Sequence, residues 1–150
     1  TMARFPSVEW FEDVARAHGA DRERAKRLGY VEASVGIVVE DGGQSQGFLL
    51  EFAGYGPRDV RETADPVAAS DFTIAGPLSV WREMIENIAA DGAPDLHHTL
   101  NRLTMAGTPL RLLSADQLKL DLFFRFNQSF QAYFDASADV NTEFPALAPA

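Results

Sequence analysis

The sequence predicts an α+β domain. Apolar residues recur at helical spacing toward both ends of the chain and alternate with period two in between, and the alternating runs follow one another directly. The implied order is two helices, four strands, further helices, a last strand and a terminal helix. At 150 residues with 46% apolar side chains the chain builds one core. Residues 1–140 then form a single domain, and 141–150, with Pro145 and Pro149, a loose tail.

Val8, Phe11, Val14 and Ala15 share one side of a first helix that starts after Ser7 and ends near Gly19. Glu9, Glu12 and Asp13 fall early in it, where a helix N-terminus favours acids. Asp21 caps a short, highly charged second helix that Gly29 stops. From Val31 the period is two, with Val31, Ala33, Val35, Ile37 and Val39 on one face and Glu32, Ser34 and Glu40 on the other. Residues 41–46 are turn formers, and Phe48, Leu50 and Phe52 then alternate with Leu49 and Glu51 as the second arm of a hairpin. Gly54-Tyr55-Gly56-Pro57 turns into a more polar strand over 60–63. Asp65-Pro66 opens a loop, and Phe72 and Ile74 mark a short fourth strand.

Gly76-Pro77 starts a helix with Leu78, Trp81, Met84, Ile85 and Ile88 on one side, and Arg82, Glu83, Glu86 and Asn87 in water. Residues 91–95 break it, and Leu96, Leu100 and Leu103 define another short helix reaching Met105. Leu110 and Leu112 alternate with Arg111 in a last strand after Gly107. Ser114 and Gln117 read as a capping box flanked by Leu113 and Leu118 as a hydrophobic staple, so a long helix starts there. At about 100° per residue, the stretch 116–134 gathers Leu118, Leu122, Phe123, Phe126, Phe130, Tyr133 and Phe134 on one side. Leu120 and Phe124 lie beyond that stripe, leaving a narrow polar band of Gln117, Asp121, Arg125 and Gln128.

Composition removes several function classes. A net charge of −9 repels phosphate backbones at long range, which argues against nucleic acid as a partner. Without Cys there is no thiol catalysis, thiolate metal site or disulfide. The apolar runs are far below the roughly 18 residues of a membrane span, and residues 1–20 lack the apolar stretch of a secretory signal. A cytoplasmic location is the default expectation.

Gly43-Gln44-Ser45-Gln46-Gly47 matches a nucleophile-elbow pattern, but the residues after Ser45 alternate as a strand and do not form the helix that motif needs. Gly54-x-Gly56 begins like a dinucleotide fingerprint whose third glycine position is Asp59. Both read as turns. His18 stands at a helix C-terminus, where a cation is favourable. His97 and His98 are adjacent on an expected helix and diverge by about 100°, which argues against a shared metal. One of them beside Asp95 or Asp91 forms the best candidate general base, the basis for a small hydrolase or isomerase reading. No catalytic residue, metal site or cofactor is otherwise indicated.

The surplus of apolar surface late in the chain is the stronger signal. Leaving Leu120 and Phe124 in water forfeits roughly 1.5–3 kcal/mol each, so a second wall of the core, a partner subunit or an apolar ligand should cover them. A partner there makes the chain a homodimer or accessory subunit built on its C-terminal helix.

The stretch Asp71-Phe72-Thr73-Ile74-Ala75-Gly76-Pro77-Leu78-Ser79-Val80-Trp81 resembles the sterol carrier protein type 2 family, in which a short Asp-led strand runs into a helix with Trp near its first turn. An opening helix like Ser7-Val8-Glu9-Trp10-Phe11, a Gly-rich hairpin after a long strand, and a strand like Leu110-Arg111-Leu112-Leu113 before the terminal helix come in that family's order. The resemblance spans roughly residues 5 to 135. It implies a five-stranded mixed sheet with helices covering one face and non-catalytic binding of a lipid, fatty acyl chain or sterol-like molecule in an apolar cavity. The wall positions it implies are Trp81, Met84, Ile85 and Ile88, then Leu100, Leu103 and Met105, and Leu122, Phe126 and Phe130. The chain departs from the family at Ser114-Ala115-Asp116, where a Gly followed by an acid or Asn is usual, and in its long, Phe-rich terminal helix.

Overall fold

The computed structural model describes residues 2–105 and 109–147. Its centre is a five-stranded sheet in the order β4-β3-β2-β5-β6, built from Val31–Asp41 (β2), Gln44–Gly54 (β3), Pro57–Glu62 (β4), Phe72–Pro77 (β5) and Arg111–Leu113 (β6). The sheet is mixed: β2 and β5 run parallel, and every other neighbouring pair is antiparallel. Ala3–Arg4 (β1) pairs in parallel with Thr142–Glu143 (β7) apart from this sheet. Gly107 and the residues beside it lie outside the described residues.

Each long strand forms because its alternation gives one face to the core. Val31, Ala33, Val35, Ile37 and Val39 of β2, and Phe48, Leu50 and Phe52 of β3, are all buried in one apolar cluster. Against that face lie Val8–Ala20 (α1), Leu78–Asp91 (α4) and the C-terminal helices. Ser7 caps α1 by accepting from the Trp10 amide, and Asp21 caps Arg22–Leu28 (α2) by accepting from the Arg24 amide. Gly29, at φ 91°, ends α2, and Gly92, at φ 78°, ends α4, both in backbone conformations that favour glycine.

Several expected details change. Residues 44–46 belong to β3, because a two-residue Gly42-Gly43 turn is enough to reverse the chain. The loop expected at Asp65-Pro66 holds a one-turn helix, Pro66–Ala69 (α3), capped by Asp65. This helix covers part of the reverse face of the sheet, so helices are not confined to one face. Glycine makes the approach close: a Cβ at Gly36 would stand 2.2 Å from Thr73 Oγ1, and one at Gly47 2.6 Å from Pro66.

The C-terminal part differs most. The expected single helix breaks at Phe126 into Gln117–Arg125 (α6) and Asn127–Asp135 (α7), followed by a 3-10 turn, Ala136–Asp139. Ser114 caps nothing there. Its hydroxyl donates to the Asp71 carbonyl, and Asp116 caps α6 instead by accepting from the Leu118 amide. The staple is also absent, since Leu118 is 80% exposed. Leu96 is exposed as well, and the helix expected around it is only Leu100–Leu103 (α5), with Thr99 as its cap.

The stretch expected to be a loose tail is anchored through residue 147. Besides the β1–β7 pairing, Phe144 packs on Phe5 with ring centroids 5.9 Å apart, and the Leu147 amide donates to Asp41. Phe5, Phe144 and the hydroxyl of Thr142, which accepts from the Trp10 indole at 2.9 Å, supply the contacts that hold it. Residues 148–150 lie outside the described residues.

Candidate ligand-binding site

The helix layer and the sheet meet in a seam of aromatic rings. Phe130 of α7 contacts Phe52 of β3 at 5.2 Å, Phe72 of β5 at 5.4 Å and Phe123 of α6 at 6.3 Å between centroids. A second group joins Trp81, Phe134, Trp10 and Phe5, with Trp81 to Phe134 at 5.8 Å. Tyr133 bridges the two groups through Phe52 and Phe134. Ring pairs at these separations and tilts exploit the aromatic quadrupole as well as burial.

Seven of the ten expected wall residues, Trp81, Met84, Ile85, Ile88, Leu100, Leu103 and Phe130, are buried in this cluster. Leu122 and Phe126 are half-buried and pack on its edge. Met105 does not join them: it is 50% exposed beyond the end of α5. The residues that the expected wall left out are the partners from the sheet and the N-terminus, Phe5, Trp10, Phe52 and Phe72. For Phe52 and Phe72 the strand alternation was the available signal.

The seam reaches the surface at the α6–α7 break. Both the Ser129 and the Phe130 amides donate to the Phe126 carbonyl, at 2.9 and 3.1 Å, which tightens the chain at the break. A hollow of about 520 Å³ opens beside the break, bordered by Leu28, Phe124 and Phe126 and by the polar residues Asn101, Arg125, Asn127, Gln128 and Ser129. Phe126 links it to the interior through its edge-on contact with Phe130 at 6.5 Å. On α6, Leu120 is half-buried against the core while Phe124 is 58% exposed.

A second hollow, of about 380 Å³, lies between α2 and the β3–β4 turn. Ala25, Ala53, Tyr55 and Pro57 line it together with Arg22, Lys26 and Arg58. His18 closes one side. Its ring is buried, with Nε2 2.8 Å from the Tyr55 carbonyl, so its role is to hold the turn and not to serve as an exposed helix-end cation. The sequence signal for this hollow was the i, i+4 pair Arg22 and Lys26, which falls on one side of α2.

The histidine pair sits elsewhere, in a turn and not on a helix. His98 lies between two carboxylates, with Nδ1 2.7 Å from Asp95 and Nε2 3.0 Å from Glu83. These contacts, with Glu83 the stronger, raise the imidazole's pKa above its ordinary value, and the same contact with His98 lowers that of Asp95. Both ring nitrogens are thereby engaged in exposed ion pairs, His97 is exposed, and neither ring lines the two hollows. Among the described residues no group of three or more His, Asp or Glu side chains is placed to hold a metal.

With this geometry in place, solved structures provide the comparison. A conserved hypothetical protein from Thermus thermophilus, described as a possible sterol carrier protein, superposes with a TM-score of 0.63 over 91% of this chain and 90% of its own, at 18% identity. Sterol carrier protein 2 superposes with a TM-score of 0.62 over 88% of this chain and 95% of its own, at 17% identity. The chain has the sterol carrier protein 2 fold. No protein-family profile and no curated protein sequence matches it. Against the sterol carrier protein 2 fold, the mixed five-stranded sheet and the α+β order stand as expected from the Asp71–Trp81 stretch. Among the described residues no helix is long and apolar enough to cross a membrane.

Proposed function

We propose that this chain is a non-catalytic binder of a hydrophobic small molecule, a lipid or fatty acyl chain, held between the helix layer and the sheet. The observation that supports the reading is the packing contact between Phe126, which borders the open hollow at the α6–α7 break, and Phe130 of the aromatic seam. The ligand enters beside Phe126 and displaces ring contacts around Phe123 and Phe130, with Trp81, Met84, Ile85, Ile88, Leu100, Leu103 and Leu122 as the surrounding wall. Binding draws on burial of ligand carbon, roughly 25 cal/mol per Å², and so discriminates weakly among apolar molecules. Helix α6 is the element able to yield, because Phe123 is its one fully buried side chain.

The test is displacement of a fluorescent fatty acid by unlabelled acyl chains of increasing length, with native mass spectrometry of the purified protein for bound lipid. Saturable displacement that Phe126→Asp weakens supports the proposal. No displacement at any chain length ends it.

A further inference from the structure

We propose that the hollow between α2 and the β3–β4 turn binds an amphiphilic anion, a carboxylate or phosphate group carried on an apolar body. This inference is distinct from the interior reading: none of the residues lining this hollow belongs to the apolar core cluster, which His18 meets through its ring contact with Tyr133 at 6.2 Å.

The first argument is charge. In a chain of net charge −9, the hollow carries Arg22, Lys26 and Arg58 and, among the described residues, no Asp or Glu in its lining. None of these three cations forms an ion pair among the described residues, whereas Arg24 pairs with Asp135 and Arg61 with Asp59. Of the acids nearest in sequence, Asp21 accepts from the Arg24 amide, Asp59 faces Arg61, and Glu23 lies outside the lining of the hollow. Three cations therefore meet around one concavity with their charge unanswered. An oxyanion there gains charge-assisted hydrogen bonds without first breaking a salt bridge.

The second argument is the floor. Ala25 is buried, and Ala25, Ala53 and Pro57 add apolar carbon to the lining that holds the three cations. A free inorganic anion leaves that carbon in water, and a neutral lipid leaves the rim unpaired. Only a molecule with both parts satisfies both surfaces. The volume, about 380 Å³, lies in the range of small-molecule sites.

The third argument is pre-organisation. The turn that bears Tyr55 and Arg58 is held against α1 by the His18–Tyr55 contact, and a Cβ at Gly56 would stand 3.0 Å from the His18 ring. The turn thus rests on a buried side chain, which lowers the ordering cost of binding.

Isothermal titration of the whole chain with dodecanoate, dodecyl phosphate, dodecanol and inorganic phosphate, all below micelle formation, tests the proposal. The two amphiphilic anions are expected to bind more tightly than dodecanol and than inorganic phosphate. Combined Arg22→Gln, Lys26→Gln and Arg58→Gln should weaken the anionic amphiphiles at least about tenfold, leave dodecanol unchanged, and flatten the salt dependence. Arg27→Gln, which removes an exposed charge from α2 outside the hollow, should leave binding intact. The proposal is overturned if the triple variant binds dodecanoate like the parent, or if inorganic phosphate matches dodecyl phosphate. It is equally overturned if Phe126→Asp abolishes all binding, because the interior then accounts for the signal. Loss of dodecanol binding alone, with rim-dependent dodecanoate binding retained, removes the interior reading and leaves this one standing.

Discussion

The hydroxyl of Tyr133 donates to the backbone carbonyl of Phe11 at 2.8 Å, joining α7 to α1 across the core. The ring is fully buried, and burial pushes the phenol pKa well above its ordinary value, so the group remains a neutral donor. Tyr133→Phe keeps the ring contacts and removes only the bond. We expect a loss of about 0.5–1.5 kcal/mol in urea unfolding with an unchanged m-value. A neutral result would show that the carbonyl is satisfied without it.

Asp71 collects four connections just before β5, one of them its own amide donating to the Ser34 carbonyl at 2.8 Å. Its carboxylate accepts from the Ser34 amide at 2.8 Å and faces Lys119 at 3.6 Å, and its carbonyl accepts from the Ser114 hydroxyl at 2.7 Å. Asp71→Ala removes the side-chain acceptor and should cost about 1–3 kcal/mol, while Asp71→Asn, which still accepts, should recover most of it. Equal losses for the two variants, read by thermal or urea unfolding, would assign the effect to charge.

Gly36→Ala tests the packing of the reverse face. The new methyl meets Thr73 Oγ1, whose side chain is buried and bonded to Ser70. Overpacking of this kind costs about 1–3 kcal/mol, and a stability within error of the parent would show that α3 moves aside freely.

Ser137 offers the opposite sign. Its hydroxyl is buried without a hydrogen-bond partner among the described residues, so Ser137→Ala removes a desolvated polar atom at little packing cost. An unchanged or raised melting temperature is expected; a drop of several degrees would reveal a partner for the hydroxyl.

The His98 cluster gives a pH dependence. Folding raises the His98 pKa from an ordinary 6.5, so its contribution is complete below that pH and is lost as pH rises through the folded value. Folding lowers the Asp95 pKa from 3.8, so its contribution is complete above that pH and is lost as pH falls through the folded value. Melting curves of parent and His98→Gln should therefore differ most between about pH 4 and 6.5 and converge only above the raised folded pKa of His98. Parallel curves across that range would rule out a stabilising role for these ion pairs.

Legibility followed locality. The caps at Ser7 and Asp21, the stop at Gly29 and the alternation of β2 and β3 depend on neighbours in sequence or on one buried face, and each stands where the residues placed it. The Ser114-Gln117 pattern failed because its hydroxyl had a stronger use, the Asp71 carbonyl, which is distant in sequence. The break at Phe126 was hidden because apolar residues recur without interruption on both sides of it. Nothing in a helical wheel says that α6 must lie along β5 while α7 turns to reach α1.

By itself, the chain's order of residues determined an α+β domain, the hairpin and its inward face, the helix from Leu78, and an apolar surplus near the carboxyl end. Periodicity and capping are written within a few residues of one another, which is why these could be read directly. Tertiary structure alone decided that Met105 lies outside the apolar cluster, that Phe52 and Phe72 complete the seam, and that Arg22, Lys26 and Arg58 share one hollow. Those outcomes depend on which distant surfaces come within a few ångströms of each other, and only the closed sheet and its helix layer set that.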